Sequence, residues 1–388
     1  MALLYLFIMK NPYLEKRKLE LTNARKWRRF LLTRNRPSYD LNKKLEDRTE
    51  VINVPSVLVI NNKNSIEFLS TLDESLYELK SAGRIIYLNL EYCSAIDSAC
   101  AVWMLSILQR FSAVCAQGIS YHQMSKKGIP PVRGCFPKRD SLAHKILSDI
   151  GFYRYLRTNK VPQALWETNS QMKTTVIRTG YNSLRKYENF KAKGGHILVE
   201  KLDKAVVELL DLGVMVSPFR RKISTALTEG LLNVADHAYE FGDYLNAERY
   251  KWWMVGGFQP ESQKVNFVFM DRGCGIPQTI QERHKGEFLK YIKAKIKGGI
   301  TGSSDPYAID FAASEDITRT LEEDRGQGLK DIIDLVRSAS GTIKIISGYG
   351  MYKLKFDGIV EEESHEVLKF PFKGTMLIWS DLQTGVGL

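Results

Sequence analysis

The run Val265-Asn266-Phe267-Val268-Phe269-Met270 alternates and leads without a break into Asp271-Arg272-Gly273-Cys274-Gly275-Ile276-Pro277. β-Branched and aromatic residues in a short alternating run specify a strand laid against a core. Two glycines one residue apart then let the backbone turn and approach other groups in ways a Cβ forbids. The strand therefore ends on a carboxylate, Asp271, followed by bare backbone that can pass close to a flat ring. An ordinary strand-to-loop turn explains the glycines but gives Asp271 no role.

A second polar feature lies upstream. Residues 221–239, RKISTALTEGLLNVADHAY, place Ile223, Ala226, Leu227, Leu231 and Val234 on one stripe of a helix. Glu229, Asn233 and His237 recur every fourth residue on another stripe. A carboxylate one turn from an amide suits a metal-phosphate site. The amide oxygen of Asn233 ligates Mg²⁺, and Glu229 acts as the base that polarises an attacking water or hydroxyl. The same spacing is also what a solvated helix face looks like.

A third segment, Asp324-Arg325-Gly326-Gln327-Gly328-Leu329, opens an amphipathic helix with apolar positions Leu329, Ile332, Ile333 and Val336. Glycines at a helix start expose free N–H groups and the positive end of the helix dipole, which together favour a polyphosphate. Between the glycine segments run residues 278–324, read as a long loop, helical over about 285–297 and bearing Lys285, Lys290, Lys293, Lys295 and Lys297. A loop of that length in a compact domain is a lid or a disordered segment. The lysines are also what the solvated face of a helix carries. Strands over 342–347 and 375–380 then surround Gly374-Thr375.

In this order the elements resemble the GHKL ATP-binding superfamily, which includes gyrase, Hsp90, histidine kinases and MutL. The resemblance covers roughly residues 200–384. It implies a two-layer α/β sandwich of the Bergerat type with ATP and Mg²⁺ held between the long helix and a mixed sheet. Asp271 then accepts the adenine amino group, with His237, Gly273 and Gly275 around the nucleotide and the Thr375 hydroxyl near the base. The phosphates lie under Gly326 and Gly328, between Arg325 and Leu329, and 278–324 is the ATP lid. Fourteen residues follow Gly374, so the second domain of gyrase-like and MutL-like members is not expected. Histidine kinases carry a Lys where Asp236 stands, and His144 and His196 lack a phosphoacceptor pattern. The segment Glu229 to Tyr239 is instead similar to the anti-sigma-factor serine kinases.

The upstream half fits that branch. Residues 84–111 read as a buried strand, Ile85 to Leu90, a turn at Asp97-Ser98, and a helix from Ala99 to Phe111. A strand near Val57 to Ile60, a helix over 65–80 and a closing segment Ala143 to Leu156 complete the pattern. It resembles a STAS domain, in which the Ser of an Asp-Ser pair at a helix start is phosphorylated by the partner kinase. This makes Ser98 the candidate phosphoacceptor, although the family's Ser-Ser-Gly-Leu is Ser98-Ala99-Cys100-Ala101 here. Either Asp97 or Ser98 also serves as an ordinary helix cap.

The expected fold class is thus α/β in the α+β sense. A basic extension over 1–50 precedes a STAS-like domain over 51–157, a connecting segment over 158–198 with a strand-like Thr174 to Ile177, and the ATP-binding domain over 199–388. Five cysteines, odd in number and without a Cys-x-x-Cys, support neither a disulfide framework nor a zinc site, and point to the cytoplasm. The apolar start, Ala2 to Met9, is too short for the roughly 20 residues of a spanning helix. Residues 1–50 carry thirteen Lys/Arg against six Asp/Glu, more than half of the chain's +12. Arg25-Lys26-Trp27-Arg28-Arg29-Phe30 reads as an exposed basic helix with two buried aromatics, in preference to a nucleic-acid patch. The functions expected are ATPase or serine kinase in a regulatory switch, with a protein partner or a second copy, or a nucleotide-gated binding module without turnover.

Overall fold

A computed structural model describes residues 49–81, 85–115, 132–150, 152–155, 173–178, 217–242, 251–259, 261–295, 302–314 and 328–384. The expectations for the basic segment before residue 49, His196, Lys297, Arg325 and Gly326 lie outside these residues. The chain divides into two compact units, Met1–Ser170 and Gln171–Leu388. The class is α+β.

In the first unit, strand β1 (Thr49–Asn53), β2 (Val57–Leu58), helix α1 (Lys63–Ser81), β3 (Ile85–Asn89), β4 (Ala95–Ile96), α2 (Ser98–Cys115), β5 (Val132–Gly134), α3 (Leu142–Asp149) and α4 (Phe152–Tyr155) follow one another. β3 runs parallel between β1 and β5, and β2 pairs parallel with β4. Parallel neighbours need a crossover, and helices supply it here. α2 is buried almost all round from Ala99 to Leu108, because its sequence is apolar on every face.

The second unit contains β6 (Lys173–Arg178), α5 (Ser217–Asn233) ending in a π-helical turn (Val234–Ala238), β7 (Trp252–Gln259), β8 (Lys264–Asp271), α6 (Ile276–Arg283), α7 (Lys285–Lys295), α8 (Asp305–Ala313), α9 (Gly328–Ala339), β9 (Gly341–Phe356) and β10 (Glu361–Gln383). Its sheet has the order β6-β7-β8-β10-β9, and every described ladder is antiparallel where a mixed sheet was expected. The strand-like residues of the supposed connecting segment are the edge strand β6 of this sheet.

Two helices cover one face. Ile223, Ala226, Leu227 and Leu231 of α5 and Ile332, Ile333 and Val336 of α9 pack on Phe267, Phe269, Ile343, Ile345, Leu377 and Trp379. The sequence periodicity is thereby converted into burial, each large apolar side chain contributing roughly 1.5–3 kcal/mol over its exposed state. The helix expected over about 285–297 is α7, and two further helices, α6 and α8, stand where a loop was expected. All three form because Ile280, Phe288, Ala308 and Phe311 meet in a small core of their own. α8 rests on the part of the β9–β10 hairpin that extends past the sheet. Asp305 accepts the Tyr349 N–H at 2.7 Å, and a Cβ on Gly350 would lie 2.6 Å from the Pro306 nitrogen, so only glycine admits this contact. Among the described residues no helix is long and apolar enough to cross a membrane.

Candidate functional site

β8 delivers Asp271 to a closed corner at its end. The side chain is buried, and its Oδ1 accepts the Gly273 N–H at 2.7 Å. Burial pushes the carboxyl up to about 7, against the opposing pull of the Gly273 and Thr375 N–H groups and of Arg272. The two backbone donors leave lone pairs on the carboxyl that can accept a further donor from a ligand.

Glycine is required around it. A Cβ on Gly273 would fall 1.9 Å from the Ala238 oxygen, and one on Gly374 2.2 Å from the Asp271 oxygen. Gly275 and Gly374 both have positive φ, +82° and +107°. The Cys274 N–H donates to Ala238 O at 2.6 Å, which fastens the π turn of α5 onto the corner. Tyr239 adds a second tie, its hydroxyl donating to Lys251 O at 2.7 Å and accepting the Arg272 N–H at 3.3 Å.

The sheet closes the other side. Thr375 pairs with Ser347 in the β9–β10 ladder. The buried Ser347 hydroxyl donates to Gly374 O at 2.8 Å, accepts the Ile276 N–H at 2.9 Å and stands 3.4 Å from the Thr375 hydroxyl. Sequence reasoning missed Ser347. Its signal was a lone hydroxyl at the end of the run Ile343-Lys344-Ile345-Ile346, but its partners are 27 and 71 residues away in sequence.

Glu229 and Asn233 are half-buried on α5 and face the first residue of α9. A Cβ on Gly328 would lie 2.6 Å from Glu229 Oε2 and 3.6 Å from Asn233 Nδ2. The polar stripe is thus turned to a helix N-terminus and not to bulk water. Burial raises the Glu229 carboxyl above its ordinary value, and the neighbouring Asp331 on α9 raises it further. Asp331 was not singled out from sequence, since an acid in a first helical turn reads as a dipole partner. A carboxylate and a side-chain amide beside a helix start are groups that a phosphate chain with a hard cation can use.

Other expected residues separate from this set. The π turn widens the helix after Asn233, so His237 no longer stacks one turn beyond it; what it gives the corner is its backbone oxygen, 3.6 Å from Cys274 Sγ. Leu329 packs against the core and belongs to the fold. Lys295 points into a cluster around Asp310. In the first unit Asp97 is the cap of α2, with Oδ1 accepting the Cys100 N–H at 2.8 Å and Oδ2 the Ile60 N–H at 2.6 Å. Ser98 is the half-buried first residue of that helix. His144 is a core residue, its Nδ1 3.4 Å from the Tyr153 hydroxyl.

Comparison with known proteins adds no relative: no family model matches the chain, and no curated protein matches it.

Proposed function

We propose that the second unit is a GHKL-type ATP-binding module acting as an ATPase or serine kinase within a regulatory switch. The observation that carries this reading is the meeting of Glu229, Asn233 and Gly328, with Asp271, Gly273, Gly275 and Thr375 gathered at the end of the same sheet. In this reading the adenine amino group donates to Asp271, and the bare backbone of Gly273 and Gly275 lies along the base. Asn233 and the N-terminus of α9 hold Mg²⁺ and phosphate, the cation neutralising charge on the transferred group. Glu229 takes the proton from the attacking hydroxyl or water. Burial and Asp331 raise its affinity for protons, which makes it a stronger base than an exposed carboxylate.

The first unit is proposed as a STAS-type docking module. Its parallel strands and the Asp97-capped start of α2 support that reading, with Ser98 as acceptor of the phosphate. A phosphate there gains from the helix N–H groups and is opposed by Asp97 next to it.

Incubation of the purified chain with Mg-ATP, followed for free phosphate and for mass added to the Ser98 peptide, tests the activity. The kinase form predicts label on Ser98 that disappears in Ser98→Ala. Phosphate release without label on protein leaves the ATPase form, and neither signal rejects both.

A further inference from the structure

The helices between the two glycine segments converge on a cluster outside the nucleotide corner. Asp310 of α8 is almost wholly buried, Glu363 and His365 project from β10, and one ligand atom from each lies within 4.8 Å of the others. The His365 ring is held between Tyr307, stacked at 5.2 Å, and Tyr352, edge-on at 5.5 Å. So held, its Nε2 is 3.1 Å from Asp310 Oδ2 and 3.2 Å from Glu363 Oε1. The nitrogen is buried and shared between the two carboxylates. A ring nitrogen set between two carboxylates, all three ligand atoms within reach of one point, has the arrangement of ligands around a common cation. Tetrahedral Zn²⁺ with ligands at about 2.0–2.2 Å spaces neighbouring ligand atoms by about 3.3 Å, close to both separations.

We infer that Asp310, Glu363 and His365 form a binding site for a divalent first-row transition metal, zinc by preference, on the α8–β10 junction. The donor set is one imidazole and two carboxylates. Ca²⁺ calls for six to eight oxygens and Mg²⁺ for a near-octahedral oxygen shell, whereas imidazole selects the borderline ions. Tyr291 donates to Asp310 Oδ2 at 2.6 Å, an outer contact of the kind that fixes a metal-binding carboxylate.

Lys295 is the built-in competitor. Its Nζ lies 2.5 Å from Asp310 Oδ2 and 3.6 Å from Glu363 Oε1, so the ammonium supplies positive charge to the same two carboxylates. The side chain is 44% exposed and can swing into water when a metal arrives. Metal binding then exchanges a clasp between α7 and α8 for one between α8 and β10.

The test titrates Co²⁺, then Zn²⁺ in competition, into the chelator-treated full chain, read by visible absorption and equilibrium dialysis. One Co²⁺ per chain is expected, with the intense d–d bands of a low-coordinate site that Zn²⁺ bleaches. His365→Ala is expected to weaken binding by more than the ~10–100-fold that loss of an outer-shell partner costs. Glu363→Gln, at an exposed position that leaves the fold intact, weakens it as well. Lys295→Ala is expected to bind more tightly than the parent, because the competing cation is gone. Weak bands that match hexaaquo Co²⁺, affinity unchanged in Glu363→Gln, or Lys295→Ala binding no tighter than the parent would overturn the site and leave the cluster a lysine-centred ion pair. Nucleotide binding does not enter either result.

Discussion

Asp271 carries the sharpest expectation at the scale of a single residue. Its carboxyl is raised to about 7 in the folded chain, whereas a free Asp titrates near 4. Between those values the unfolded chain gives up the proton while the folded chain keeps it. Stability contributed by this group therefore falls as pH climbs from about 4 to 7 and is flat above. Asp271→Asn should remove that slope, as read by urea unfolding at a series of pH values. A ligand amino group prefers the ionised acceptor, so Mg-ADP affinity should rise from pH 6 to 8 in the parent and not in the variant. Equal slopes in both chains would place the titration elsewhere.

Glu229→Ala should keep nucleotide binding and lose about 10²–10⁴-fold in turnover, the usual worth of general-base help. Unchanged phosphate release would remove Glu229 from the chemistry. Much of this set was legible from single residues. Asp271 stood at the end of an unmistakable strand, and Glu229 and Asn233 recurred at one-turn spacing beside the apolar stripe of a helix. Ser347 and Asp331 were not, because their importance comes from contacts across the sheet and between two helices, which local spacing does not encode.

At the scale of elements, α2 offers a test that separates cap from acceptor. Asp97 satisfies N–H groups of both Cys100 and Ile60. Asp97→Ala should cost about 1–2 kcal/mol, the upper range for loss of a helix cap, in chemical unfolding, while Ser98→Ala should stay within about 0.5 kcal/mol of the parent. The reverse order would make Ser98 the cap. Elements with strong periodicity were readable: α5 and α9 by their apolar stripes, β8 and the β9–β10 pair by composition. β1 was not, for its residues are exposed or half-exposed and show no alternation. Within 278–324, read as a loop apart from a helix over about 285–297, α6 and α8 were not readable because they span only eight and nine residues, too short to show a period, and the small core forms only when the three helices meet. The π turn was equally hidden, being set by the bond from Cys274 to Ala238 across two elements. Gly273→Ala probes that junction: moving the Ala238 carbonyl aside should cost about 1–3 kcal/mol and weaken nucleotide at the same time. Full stability in that variant would show the approach of the two chains to be looser than drawn.

At the scale of the molecule, the α+β class and the order of chemical elements were present in the sequence, whereas the antiparallel pairing of the second sheet was not, since pairing direction leaves no mark on a single strand. The central claim is that the second unit binds ATP through the Asp271 corner and the Glu229–Asn233–Gly328 junction. Titration calorimetry on the purified chain measures this directly, with Mg-ATP and Mg-ADP against the parent and against Asp271→Asn. The account predicts saturable one-to-one binding of both nucleotides to the parent and weaker binding of both in the variant, since the base contact is common to the two. A parent chain that binds neither nucleotide, or an Asp271→Asn chain that binds ATP as tightly as the parent, would contradict it.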